Sequence, residues 1–187
     1  TGVDFNGTVQ FNRLSRNETA LEARPGQLIA HNVFAHNEDH GIRLFNDANV
    51  KIVHNSMYAA TGDNILVDNV STGAEIRNNI LWVEQGYDIY VHNLAQSGFF
   101  SDYNNLHASG TGRIVHWTRP FEDLLDWQAD VARYDLHSIG TTVVNPAWSE
   151  PRFINAASGD LRVFDLLAGQ RFSSPTIDAG DPLTDLG

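Results

Sequence analysis

Cysteine is absent from all 187 residues, so neither a disulfide framework nor a thiolate metal site is available. Basic residues are scarce. Twelve Lys and Arg against 23 Asp and Glu leave a formal net charge of −11. Phosphate backbones need a basic footprint, so nucleic acid is not expected as a partner. The same excess repels a polyanionic sugar such as pectin or alginate unless cations, Ca²⁺ above all, bridge the carboxylates. Long apolar runs are missing as well: no stretch reaches the 18 residues of a membrane-spanning helix, and no membrane partner is expected. Nor does any segment before residue 118 hold a helical stripe long enough for a helical or leucine-rich solenoid. Thr1-Gly-Val-Asp4 lacks a charged and apolar signal region and enters mid-pattern, without a helix to plug an end. A processed or truncated chain is the expectation.

What the chain has instead is repetition. Ile29-Ala-His-Asn32-Val-Phe34 is followed by Ile52-Val-His-Asn55-Ser-Met57 and Ile76-Arg-Asn-Asn79-Ile-Leu81, with a looser copy at Ser101-Asp-Tyr-Asn104-Asn-Leu106. The asparagines lie 23, 24 and 25 residues apart. A second column, Ile42, Ile65, Ile89 and Ile114, keeps the same steps. Two columns with one period define a repeat architecture. Inside each copy the apolar residues alternate, as in Ile42-Arg-Leu44, which is the two-residue period of a strand. Short strands recurring at this interval build a parallel coil, one turn per repeat, with strands stacked about 4.8 Å apart. The recurring Asn suits a tight corner, where it tolerates unusual backbone angles and its amide bonds its equivalents above and below.

These copies resemble the right-handed parallel β-helix of pectate-lyase-like proteins. The resemblance covers residues 1–117 and implies an all-β, single-stranded solenoid of about five turns. It implies little about activity, because lyases, hydrolases, epimerases, adhesins and tailspikes share the fold. Gly2-Val-Asp-Phe5 and Val9 to Leu14 read as a degenerate first turn, and a short strand is expected near Ala20–Ala23. From Thr118 the pattern changes. Pro120 to Val131 has near-helical spacing, with Pro120 in the first turn and Glu122 and Asp123 near its positive end. Residues 118–187 are then one helix and a turn-rich segment packed on the coil. Asp135 to Ser138, Asn145-Pro146, Pro151 to Phe153, Gly159 to Arg162 and Ser174 to Gly180 occur in the order seen in secreted bacterial alginate-lyase- and epimerase-like β-helix proteins. That second resemblance implies a cap over the coil's open end. Asp178-Ala-Gly-Asp181 reads as a plain turn by its own chemistry, with cation binding by the two acids as the alternative.

By the same resemblance, a substrate would lie along the strands of the isoleucine column and the turn before it. Outward positions there are expected to be Arg43, Asn64, Leu66, Asp88, Tyr90, Arg113 and Val115. Glu38, Asp39, His40, Arg43, Asp63 and Asp88 form the densest ionisable group and are the candidate catalytic residues. Asn64, Tyr90, Arg113 and Trp117 are the candidate substrate contacts. A carboxylate pair suits glycoside cleavage, whereas Arg43 or His40 suits proton abstraction next to a uronate carboxyl. A solvated polar face is the competing reading of this cluster. Asn-Thr-Asp, Asp-Asp, Gly-His-Gly and Asp-Pro-His are all absent, so the resemblance carries over no catalytic residue. His31 and His54 should stack one turn apart, with no third ligand to make a metal site, and no metal or other cofactor is assigned beyond the Ca²⁺ option. The expectation is a secreted or cell-surface bacterial protein, monomeric, that acts on a polysaccharide or oligosaccharide as a lyase or glycoside hydrolase. A non-catalytic carbohydrate-binding or adhesion module is the alternative.

Overall fold

The computed structural model describes residues 7–167 and 169–183. The Gly2–Phe5 part of the expected first turn lies outside them. Each turn of the coil consists of three short strands. The first turn is β1 (Thr8–Gln10), β2 (Arg13–Ser15) and β3 (Thr19–Glu22), and the second is β4 (Leu28–Ala30), β5 (Val33–Ala35) and β6 (His40–Phe45). Next come β7 (Lys51–Val53), β8 (Ser56–Ala59) and β9 (Asp63–Asp68), then β10 (Glu75–Arg77), β11 (Ile80–Val83) and β12 (Tyr87–Val91). The fifth turn is β13 (Phe100–Asp102), β14 (Asn105–Ala108) and β15 (Arg113–His116). Strands of equal rank stack in parallel, giving three sheets ordered β1-β4-β7-β10-β13, β2-β5-β8-β11-β14 and β3-β6-β9-β12-β15.

Equivalent residues sit directly over one another. Ile29, Ile52 and Ile76 form one inward column, Phe34, Met57, Leu81 and Leu106 a second, and Leu21, Ile42, Ile65, Ile89 and Val115 a third. All are buried in a single continuous core. The fourth member of the isoleucine column is thus Val115 and not Ile114, which stands level with Asp88. Four residues (Ser109–Gly112) link Ala108 to Arg113 where three (Glu84–Gly86) link Val83 to Tyr87, and the extra residue moves the register by one.

The asparagines lie at the corner between the first and second sheets. The backbone N–H of Asn12, Asn32, Asn55 and Asn79 each donates to Oδ1 of the next ladder member at 2.9–3.0 Å. Each Nδ2 reaches the same oxygen at 3.1–3.2 Å. The left-handed backbone expected of these asparagines falls instead on the residue before: φ is 57° at Phe11, 55° at His31, 54° at His54, 55° at Asn78 and 56° at Tyr103. That conformation costs roughly 1–2 kcal/mol at a residue with a Cβ, and the amide ladder offsets it. Side chains at these positions stack outside the corner, with the His31 and His54 rings 5.1 Å apart and 3° from parallel.

The ladder ends on a buried acid. Asp135 Oδ1 accepts from Ser101 Oγ (2.9 Å), Ser138 Oγ (2.7 Å) and Asn104 Nδ2 (3.3 Å), while Oδ2 accepts from Trp127 Nε1 (3.0 Å). Trp127 belongs to α1 (Leu124–Val131), which packs Leu124 and Trp127 onto the end of the core. The helix starts later than its proline suggests. Pro120 lies in β16 (Pro120–Phe121), antiparallel to β15, and Asp123 is the N-cap, accepting from the Leu125 and Asp126 N–H groups. Next, β17 (Ile139–Gly140) extends the second sheet beyond β14.

The remaining tail is not confined to the end of the coil. It turns back and runs along the outside of the second sheet. A hairpin of β18 (Phe153–Asn155) and β19 (Asp160–Val163) lays Phe153 and Leu161 on Ala35 and Tyr58. His107 Nδ1 lies 2.8 Å from Ser149 Oγ, Arg13 donates to the Ser158 carbonyl, and the Asp181 N–H donates to Asn78 Oδ1. Asp181 also pairs with Arg77 at 2.8 Å. Residues 118–141 close the end, and segments 149–163 and 176–181 strap the side.

Replacing Asn55 by Leu would leave its partners Asn32 and Asn79 with unmet hydrogen bonds inside the corner. The variant is expected to lose about 1–3 kcal/mol of stability, measured as a lower urea midpoint at unchanged slope.

Candidate functional site

The tail straps the second sheet and leaves the outer face of the third sheet uncovered by it, and that face carries most of the expected site residues. Two columns shape that face. His40, Asp63, Tyr87 and Arg113 are the first residues of successive strands, and Glu22, Arg43, Leu66, Tyr90 and His116 stand three positions further along. The turns leading into the first column stack tightly. Gly62 (φ 73°) and Gly86 (φ 110°) have no room for a Cβ, which would collide with the Asp39 and Gly62 carbonyls. This packing seats Asp63 and Tyr87 side by side one turn apart, and the Tyr87 N–H donates to Asp63 Oδ1 at 2.8 Å.

Asp63 and His40 form the central ionisable pair. His40 Nδ1 lies 3.8 Å from Asp63 Oδ2, an ion-pair distance but too long for a hydrogen bond. Burial pushes the Asp63 carboxyl up to about 6, the Tyr87 N–H opposes that rise, and the charge on Asp39 adds to it. Burial lowers the His40 imidazole below its ordinary value, against the opposing pull of Asp39. Burial therefore biases both groups towards their neutral forms. Glu38 and Asp39 are exposed on the turn just before, with Thr61 Oγ1 on the Glu38 carbonyl.

The other expected residues divide. Arg43 is on the face, held by Asp68 at 3.1 Å and Glu22 at 3.4 Å, and lies over the Phe45 ring. Arg113 is also there, paired with Glu122 at 3.1 Å. Tyr90 is half-buried and stacks on His116 with ring centres 4.2 Å apart and planes within 4°. Tyr87 stands nearly perpendicular to both, 5.3 and 5.5 Å away. Trp117 turns towards α1, against Phe99, Trp127 and Tyr134, and lines a 360 Å³ surface cleft with Gln96 and Asp130.

Asn64, Asp88 and Val115 do not point outward. All three are buried: the second and third residues of each third-sheet strand both face the core, and the extra residue before β15 puts Val115 in the isoleucine column. Counting strict alternation from the isoleucines misplaces these positions. Asn64 Nδ2 donates to Asp88 Oδ1 at 2.9 Å and to the Trp82 carbonyl at 3.0 Å. Asp88 Oδ2 has no hydrogen-bond partner among the described residues. Burial raises the Asp88 carboxyl well above its usual range, more than the Asn64 amide offsets, which favours its neutral form in the core. It is not placed to touch a substrate. Two members of the face, Tyr87 and His116, escaped the sequence reading. Gly86-Tyr87 repeats the Gly62-Asp63 step, and that signal was available for Tyr87. The register shift before β15 hid His116.

The family model described as a right-handed beta helix region matches residues 2–119, well over half of the chain. The chain belongs to the right-handed β-helix family. Comparison with curated proteins and with solved structures gives no match. The β-helix is common among polysaccharide-active enzymes and occurs in other proteins too, so membership names a scaffold and leaves the activity to the face described above.

A carboxyl raised in the native state favours that state only while protonated. Its contribution is full below the unfolded-state value, about 3.9, and is lost as pH rises through the folded-state value. Asp88→Asn removes the penalty of ionising in the core. Thermal melts at pH 4 and pH 8 should show the variant gaining on the parent at pH 8 and little at pH 4; equal shifts at both would contradict a neutral Asp88.

Proposed function

We propose that this β-helix acts on an extracellular polysaccharide held along the outer face of the third sheet, with the Asp63–His40 pair as its acid–base centre. The supporting observation is the Asp63 carboxyl, seated beside His40 and held protonated into the range where enzymes need a proton donor. Hydrolysis and elimination both require a proton for the departing glycosidic oxygen, so Asp63 serves either. The charge of Asp39 lies close enough to act on Asp63 and would also steady positive charge growing on a sugar ring. Secretion and a monomeric state belong to this reading.

A binding module is the second reading, and the Tyr87, Tyr90 and His116 rings favour it. They offer contact surface for a sugar without any chemistry.

A screen on alginate, pectin, xylan and neutral glucans, with and without Ca²⁺, separates the two. Absorbance of unsaturated ends reports elimination and reducing ends report hydrolysis. Asp63→Asn should lower the rate by roughly 10²–10⁴-fold with substrate binding retained. Because the donor must be protonated, the parent's rate should fall as pH rises through about 6. Binding without turnover on any sugar would hand the face to the second reading.

A further inference from the structure

The balance of charge on the third-sheet face points to a class of ligand. Both arginines there already carry acids. Arg43 is shared between Glu22 and Asp68, and Arg113 meets Glu122. Burial keeps the two imidazoles, His40 and His116, towards their neutral forms. Glu38 and Asp39 stand exposed at the edge, and the chain as a whole carries −11. Between the paired arginines the middle of the face is Leu66, Tyr87, Tyr90 and His116, a patch of aliphatic and aromatic surface beside the largely buried Asp63 carboxyl.

A polyuronate presents a carboxylate on every sugar. On this face each carboxylate would have to displace an acid already bound to Arg43 or Arg113, against a negative surrounding field. An uncharged sugar meets no such competition. Its apolar ring faces can lie on the aromatic patch, while its hydroxyls bond the polar rim, the usual division of labour in a small-ligand cleft. We infer that the face takes a neutral glycan, an uncharged hexose or pentose polymer, rather than a uronate polymer. This rests on the functional reading above, and it narrows the chemistry to hydrolysis or plain binding, since elimination draws on the acidity next to a uronate carboxyl.

Affinity electrophoresis of the whole chain tests this in gels cast with xylan, galactomannan or β-glucan, and in gels cast with polygalacturonate or alginate, with and without Ca²⁺. The expected result is retardation by at least one neutral polymer, unchanged by added 0.3 M NaCl (about the range that screens surface charge), and none by the uronates. Tyr90→Ala should weaken that retardation about tenfold, a loss of about 1.4 kcal/mol. Tyr90→Phe, which keeps the ring and controls for folding, should restore it, and Lys51→Ala on the first sheet, away from this face, should leave it unchanged. Retardation by a uronate alone, lost in salt or in Arg113→Ala, would overturn the neutral-glycan inference while leaving the face as the site. Retardation by any polymer that Tyr90→Ala and His40→Ala leave intact would overturn the site itself. No retardation in any gel would overturn both.

Discussion

Everything in this molecule depends on strands of successive turns lying in one register, and the asparagine ladder is the interaction that holds it. Burial of Ile52, Met57 and Ile65 supplies more free energy per turn, about 1.5–3 kcal/mol for each side chain. A hydrogen bond contributes about 1 kcal/mol net. Hydrophobic burial alone, however, tolerates slippage, because a column of Ile, Leu, Val and Met repacks with little loss. An amide that donates to the next turn and accepts from the one before does not. A slip by one residue would leave every Asn in the corner with unmet partners, at a cost of about 1–3 kcal/mol each. Apolar burial therefore drives coiling, and the ladder decides where each turn sits. Asp135 completes that logic. The last ladder N–H, that of Asn104, donates to Ser138 Oγ at 2.9 Å, and the Asp135 carboxyl, fed by Ser138, Ser101, Asn104 Nδ2 and Trp127, fixes that end while docking α1.

The face of the third sheet follows from that register. With turns locked one above another, side chains distant in sequence become neighbours at one strand spacing: His40 against Asp63, Asp63 against Tyr87, Tyr90 against His116. The tight Gly62 and Gly86 turns carry the same alignment into the acid–base pair. Close stacking also buries Asp63 enough to raise its carboxyl, so scaffold geometry and site chemistry share one cause. Asp88, one turn and one residue on from Asp63, shows the limit of that effect. Full burial favours a neutral acid facing the core and removes it from any surface chemistry.

Much of this was legible in the residues. A period near 24, carried by Asn and Ile together, identifies the coil, its turns and the stacking of His31 on His54, because identical positions repeat identical constraints. Positions inside a bend are harder to read. Asn64 and Asp88 look outward by alternation, yet at the start of these strands the second and third residues both face the core, so strict alternation fails there. The extra residue before β15 is equally silent, since Ile114 and Val115 are both apolar and either could fill the column. Pro120 suits a helix start, but two residues of antiparallel pairing with β15 outweigh that preference and leave Asp123 to cap the helix. The strap along the second sheet rests on single apolar residues, Phe153 and Leu161, with no periodicity to announce them. Arg43 and Arg113 were found from position alone, whereas their acids come from neighbouring turns and from beyond the coil, a pairing that only the fold reveals.

Hydrogen exchange of the asparagine side-chain amides, followed by NMR, tests the ladder most directly. If the ladder holds the register, the Nδ2 protons of Asn32, Asn55, Asn79 and Asn104 exchange only on opening of the coil, many orders of magnitude more slowly than the exposed Asn93. Exchange of the ladder amides at the rate of Asn93 would show that the corner is open to water and that burial alone keeps the turns in place.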